Sequence, residues 1–154
     1  MRLTLKTNLA ARVLMHCAVN SGRLVRSSEI AVACNASGNH LSQVIHRLQQ
    51  LGYVNTQRGR GGGLSLALDA GEISIGQLFR EFEGGAPFGA CFAAQDNDCP
   101  LTPACRLRGH VSRAVEAFYG ALDEVTLRAL IEDNAGLERI LRPPVAVPCG
   151  APQG

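Results

Sequence analysis

The sequence predicts a mainly α-helical chain carrying one small β-hairpin, and three observations support that expectation. Apolar residues recur at helical spacing in several segments. Two short stretches, 53–57 and 64–68, have strand character. Between them lies a run of arginine and glycine that no buried element would contain.

Thr7 is a candidate N-cap, and Leu9, Val13 and Cys17 recur with Leu14 and Ala18, which predicts an amphipathic helix over residues 8–19. After the turn Asn20-Ser21-Gly22, Ser27 and Ser28 can cap a second short helix that ends near Cys34, with Glu29 set against its amino-terminal dipole. Asn35, Ala36 and Ser37 make a tight turn. Leu41, Val44, Ile45, Leu48 and Leu51 then form an apolar stripe that stops at Gly52, a suitable C′ residue. The other face of this third helix presents Asn39, His40, Ser42, Gln43, His46 and Arg47, side-chain types that reach phosphates and base edges.

Tyr53–Gln57 and Leu64–Leu68 read as strands, the second alternating Leu64, Leu66 and Leu68 with Ser65 and Ala67. Between them, Arg58-Gly59-Arg60-Gly61-Gly62-Gly63 combines glycines that permit close approach with arginines that donate to phosphate or enter a narrow minor groove. Helix, turn, helix and basic hairpin make a winged helix-turn-helix. The helix-turn-helix is expected at about 28–51 and the wing at about 53–68, inside a DNA-binding domain of residues 1–83. Ser28, Asn39, His40, Ser42, Gln43, His46, Arg47, Arg58 and Arg60 are its candidate DNA contacts. A nucleotide-binding glycine loop is excluded, because Leu64 stands where the last glycine of G-x-G-x-x-G belongs and no Walker lysine follows.

Ser74 can cap a fourth helix over Ile75–Glu83, with Ile75, Leu78, Phe79 and Phe82 on one side and Gly84 and Gly85 ending it. Residues 84–105 lack hydrophobic periodicity, and a loop of that length in a compact domain is usually functional. From Arg106 to about Val125 a long helix carries Val111, Ala114, Val115, Phe118, Leu122 and Val125 at helical intervals. A small winged head does not need this helix for its own core, so it is assigned to pairing with a second subunit. Thr126 caps a last short helix through Asn134, within a dimerisation segment of residues 106–141. The Pro- and Gly-rich residues 142–154 read as a disordered tail.

Hydrophobic residues make up 46% and charged residues 18% of the 154, the proportions of a globular chain rather than a disordered or fibrous one. No apolar run reaches the length of a membrane span, and Arg12 and His16 interrupt the only candidate signal core, so a cytoplasmic location is expected. The net charge of +2 conceals an asymmetry. Residues 1–68 hold eight basic groups against Glu29 alone, a net of +7, while residues 69–154 hold seven basic and twelve acidic groups, a net of −5. The basic half is suited to a polyanion. No nucleophile and base pair or substrate-pocket signature points to an enzyme.

Half of the six cysteines fall in fifteen residues, as Cys91-x7-Cys99-x5-Cys105. The spacing lacks the Cys-x2-Cys pairs of structural zinc sites, whereas iron–sulfur clusters accept wider gaps because each thiolate binds a different iron. Pro87, Pro100 and Pro103 stiffen the loop. Three thiolates leave one coordination position to a weaker ligand. A disulfide between Cys91 and Cys99, or between Cys99 and Cys105, is the rival reading, with bound zinc behind it. Cys17 and Cys34 read as buried small hydrophobes, and Cys149 has no assigned role. His16, His40, His46 and His110 form no ligand pair and are expected at the surface or facing DNA.

Met1-Arg2-Leu3-Thr4, Asn39-His40-Leu41, Gly52-Tyr53-Val54, the wing through Leu64, and Ile75-Gly76 together resemble the winged-helix iron–sulfur regulators that include NsrR and IscR. The resemblance covers roughly residues 1–141. Its most specific stretch runs from Cys99-Pro-Leu-Thr-Pro-Ala-Cys105-Arg-Leu through Ala114-Val115, Phe118, Leu122 and Thr126-Leu127, and is more similar to NsrR-like members. IscR-like members place a ligating histidine where this chain has Arg108. The resemblance implies a homodimer that represses genes for nitric oxide detoxification until nitric oxide attacks a cluster, 4Fe–4S or 2Fe–2S, held by Cys91, Cys99 and Cys105. An IscR-like sensor of iron or cluster supply is the alternative. Some members supply a carboxylate at position 8, from the partner subunit, as fourth ligand; here that position is Asn8, a poorer ligand for iron.

Overall fold

The computed structural model describes residues 3–84, 92 and 99–142. Its elements are α1 (Leu5–Val19), α2 (Ser27–Ala33), α3 (Gly38–Gln50), β1 (Val54–Gln57), β2 (Gly63–Leu66), α4 (Ile75–Glu83), α5 (Arg106–Asp123), α6 (Leu127–Ile131) and α7 (Ala135–Leu141). The mainly α fold with one hairpin is as the residue pattern predicts, and α4 has the predicted limits. The expected tail beyond Arg142 lies outside the described residues.

α1 is the centre of the core. Leu9, Val13, Leu14, Cys17 and Ala18 are buried as predicted, but so are Ala10, Ala11 and His16, so the helix buries far more than one face. Small alanines let neighbours pack close on its other sides, and α3, α4, α6, α7 and β2 surround it. Thr4, not Thr7, caps α1: its Oγ1 accepts from the Thr7 backbone N–H at 3.2 Å, so the helix starts one turn earlier than expected. Neither Ser27 nor Ser28 caps α2. Arg26 occupies the cap position, and its N–H donates to Glu29 Oε1 at 3.3 Å. Ser37, Ser74 and Thr126 cap α3, α4 and α6 through their hydroxyls.

Gly52 ends α3 with φ +80°, a conformation that favours glycine. β1 and β2 pair antiparallel with Val54 opposite Leu66 and Gln57 opposite Gly63. Val25 joins the hairpin edge through reciprocal backbone bonds with Leu64 of 2.9 and 2.8 Å, fixing the wing against the chain that enters α2. The helix predicted from Thr126 to Asn134 is two helices. Asp133 takes φ +52° at the break, and Asn134 Oδ1 caps α7 by accepting from Leu137 N–H at 3.1 Å.

α5 runs back along α4. Arg80 of α4 pairs with Asp123, lies 3.7 Å from Glu116 and stacks over the Tyr119 ring at 4.9 Å. Ser74 bridges to Thr126, and the Ile75 N–H donates to Val125 O at 2.9 Å. At the crossing, a Cβ on Gly76 would stand 2.7 Å from Tyr119 O and 2.5 Å from Asp123 N. Backbone on both sides leaves no room, so Gly76→Ala should destabilise the chain by about 1–3 kcal/mol through overpacking, read as a lowered denaturant midpoint with unchanged slope. An unchanged midpoint would show that α5 can withdraw at no cost.

Candidate functional site

Two surfaces bear on function. The first is a groove of about 730 Å³ between the start of α2, α3 and the wing. Arg26, Ser28, Ser42, His46, Gln49, Thr56, Gln57, Arg58 and Arg60 are among its lining residues, and none of the described lining residues is acidic. Of the predicted DNA-facing residues, Ser28, Ser42, His46, Arg58 and Arg60 converge there. Asn39 and His40 are exposed at the start of α3, where Ser37 Oγ and His40 Nδ1 lie 3.0 Å apart. Gln43 and Arg47, also exposed, line a separate cleft with Lys6, Glu81 and Phe82. Ser42 Oγ donates to Gly38 O at 2.8 Å, which occupies its proton. Sequence reasoning missed Arg26, Gln49, Thr56 and Gln57. Arg26 is one residue before the expected helix, and Gln49 continues the outward face one turn beyond His46, a signal that periodicity contains.

Three arginines in one groove, with no carboxylate among the described lining to compensate them, make a surface that attracts phosphate and offers forked donors to it. Glu29, the acid nearest in sequence, is turned inward: Arg23 Nη2 holds it at 2.7 Å, and that hydrogen bond, against the opposing effect of burial, keeps the carboxyl below its usual value. Its charge is offset within the fold rather than facing the groove.

The second surface is the cysteine segment. Cys99 and Cys105 flank a 3₁₀ turn, Thr102–Ala104, in which Thr102 N–H donates to Cys99 O at 3.2 Å and Ala104 N–H to Leu101 O at 3.1 Å. Both cysteines are half-buried. Cys105 is the N-cap residue of the 18-residue α5, where unpaired N–H groups and the helix dipole favour negative charge. Arg106 and Arg108 follow it, and the Arg108 guanidinium lies 5.9 Å from the Phe92 ring centre. Cys91 lies outside the described residues, as does Cys149. Among the described residues no three of His, Cys, Asp and Glu gather as a metal site. The donor chemistry nevertheless fits a sulfur-ligated group: two soft sulfur donors, half-buried rather than sealed in the core.

Cys17 and Cys34 are buried, as expected, and burial pushes the Cys17 thiol up to about 12. Desolvation in the core disfavours its thiolate, as expected for a small buried hydrophobe. His16 departs from expectation: it is 2% exposed in the core, while His40, His46 and His110 are exposed.

Asn8 sits on the exposed side of the first turn of α1. Beside it the Glu83 carboxylate accepts from Thr4 N–H at 2.7 Å and from the Thr7 hydroxyl. Burial alone would raise the Glu83 carboxyl, but these hydrogen bonds outweigh it and hold the group below its ordinary value. The end of α4 is thus tied to the start of α1, and the cysteine segment leaves from the same corner as Asn8. Glu83 is a second residue that sequence reasoning did not single out; an acid at a helix carboxyl end, against the dipole, is the signal it offered.

No helix among the described residues is long and apolar enough to cross a membrane. The chain is similar to two regulators over nearly its whole length. It is 43% identical over 143 residues to the HTH-type transcriptional regulator NsrR of Geobacillus kaustophilus, covering 92% of this chain and 97% of that one. It is 44% identical over 138 residues to the HTH-type transcriptional repressor NsrR of Streptomyces coelicolor, covering 88% and 92%. Among solved structures, the oxidized form of Staphylococcus aureus CymR superposes with a TM-score of 0.67 at 26% identity, covering 86% of this chain and 97% of that one. The Rrf2 profile, described as an iron-dependent transcriptional regulator, matches residues 3–133. With a winged helix-turn-helix, an arginine-lined groove and that match across most of its length, the chain belongs to the Rrf2 family of transcriptional regulators.

Proposed function

We propose that this regulator is a repressor that responds to nitric oxide through an iron–sulfur cluster held by Cys91, Cys99 and Cys105, and that it works as a homodimer on a near-palindromic operator. The observation that carries the reading is the position of Cys105 at the head of α5, with Cys99 one short turn away. The two relatives at 43% and 44% identity bear the name NsrR, the branch of the family whose resemblance implies nitric oxide as effector. When bound, such a cluster supplies the centre with which nitric oxide reacts.

The chain's own residues do the rest. Arg58 and Arg60 grip the phosphate backbone, Ser42 and His46 face the major groove, and Gln43 sets sequence preference from the outer face of α3. Among the described residues none of α5 is fully buried; Val111, Val115 and Phe118 form a half-buried stripe along it, while Leu122 packs against the core of its own subunit. That stripe pairs with the partner subunit, spacing two recognition helices for half-sites about one helical turn apart. The bond from Thr7 to Glu83 couples the cysteine segment to the head.

The test is an anaerobic titration with nitric oxide, following visible absorption and operator binding together. Bleaching and operator release should coincide. Asn8→Ala should change the bleaching rate little, while Asn8→Asp, which adds a stronger ligand type, should slow it. Protein that holds its operator as tightly after nitric oxide as before it would sink the assignment. Colourless anaerobic protein would point instead to the thiol or zinc reading.

A further inference from the structure

A cavity of about 430 Å³ lies between the end of α1, α2 and α7, with the Glu29 carboxylate on its wall. Its lining includes His16 of α1, Ala33 of α2 and Leu141 of α7, with Ser28 and Arg142 among its polar groups. Val32 and Ile140, 84% and 67% exposed, are the apolar residues at its mouth. The volume is that of an ordinary small-molecule site.

His16 is the anomaly. The ring is 2% exposed, and neither nitrogen has a hydrogen-bond partner among the described residues. Buried polar side chains are overwhelmingly hydrogen-bonded, so a ring that lines a cavity with both nitrogens free marks a place for a polar group of something else. Burial disfavours its charged form, so the imidazole is neutral and offers one donor and one acceptor. Glu29 does not satisfy it, being engaged by Arg23 and by the Arg26 N–H. The wall is also fixed. Asn20 Nδ2 donates to His16 O at 2.9 Å and to Leu141 O at 3.1 Å, holding α7 against α1.

We propose that this cavity binds a small, uncharged, mainly apolar molecule bearing one hydroxyl, which hydrogen-bonds the His16 ring, and that its occupancy alters operator binding. A hydroxyl can meet either nitrogen, as donor to one or acceptor from the other. An anionic ligand is disfavoured, because the one guanidinium among the described lining residues, Arg142, already lies 3.6 Å from Glu138. Coupling to DNA follows from Ser28, which lines both this cavity and the arginine groove, so the first turn of α2 is a shared wall. The inference does not depend on what the cysteines hold.

The test titrates full-length protein with p-cresol, and with p-xylene as the analogue lacking the hydroxyl, following amide resonances by NMR and operator affinity by anisotropy. Resonances of Ser28, Ala33 and Leu141 should shift saturably with p-cresol. His16→Phe should weaken p-cresol by about 5- to 10-fold, the value of one hydrogen bond, and leave p-xylene unchanged. Ala33→Phe should abolish both, with Val32→Trp as a second blocking variant at an exposed position. Saturating p-cresol should shift operator affinity by about 5-fold in the wild type and not in the blocked variants. No saturable response, or equal binding to wild type and His16→Phe, overturns the proposal, since the ring is then satisfied by water. Movement of Val145 and Val147 resonances in Ala33→Phe without any probe also overturns it, because the chain's own carboxyl end then fills the cavity. Binding with no change in operator affinity overturns the coupling.

Discussion

Replacing Arg58 and Arg60 together by Ala should weaken binding to every DNA sequence and flatten the dependence of log affinity on log salt by about two units, one for each phosphate that no longer meets an arginine. Both arginines are exposed and line a groove with no acidic residue among those described, so no carboxylate there competes with phosphate for them. The wing keeps its place in the double mutant, because the Val25 and Leu64 bonds that hold it are main-chain. The loss is therefore one of charge and donors, not of structure. Anisotropy titrations of operator and random duplex at several salt concentrations give the slopes. Parallel lines for wild type and mutant would remove the wing from the interface. Gln43→Ala is the contrasting change: it should alter the ratio of specific to random binding and leave the slope alone.

Single replacement of Cys91, Cys99 or Cys105 by Ser should abolish the visible absorption of anaerobically purified protein, while Cys17→Ala and Cys34→Ala keep it. The contrast rests on environment. Cys105 is half-buried at the N-cap of α5, one short turn from Cys99, where a ligand can reach its sulfur without opening the core. Cys17 is 1% exposed, its thiol raised to about 12, and binding there would require opening the core around Leu14. Colour retained in Cys99→Ser and Cys105→Ser would place the cofactor elsewhere. Colour lost in Cys17→Ala, with an unfolding midpoint like the wild type's, would do the same.

Where strong punctuation coincided with periodicity, the sequence was readable to the residue. α4 is bounded by Ser74 and Gly84 and patterned by Ile75, Leu78 and Phe82, and it spans its predicted residues. α3 stops at Gly52 as its stripe predicts, but Ser37, which caps its start, reads in the sequence only as part of the preceding turn. Elements with few periods were not legible. α7 has seven residues, too few to establish a repeat, although Asn134 offered a capping signal. The burial of His16 could not be read either. It adjoins Cys17 in an apolar helix, but α2 and α7, the latter held by Asn20, enclose it through tertiary packing. The groove was legible through its arginines, because charge and glycine at a hairpin tip have few other uses. Arg26 and Gln49 join it through tertiary placement that no local pattern specifies.

α5 and α4 differ greatly in length, and the difference has a thermodynamic consequence. At 1.5 Å per residue, the 18 residues of α5 extend about 27 Å and the nine of α4 about 13 Å. Among the described residues, Arg80 of α4 meets Glu116, Tyr119 and Asp123 in the second half of α5, and Arg108 in its first half lies near the Phe92 ring. Cys105 stands at the head of that first half. Residues 106–110 of that half are exposed, and exposed helical residues gain little packing to offset their lost conformational entropy. Whatever covers that stretch therefore orders the cysteine too. On the proposed function, subunit association along α5 and ligation at Cys105 share one free energy: each strengthens the other by the same factor, and dilution alone should loosen what the thiols hold.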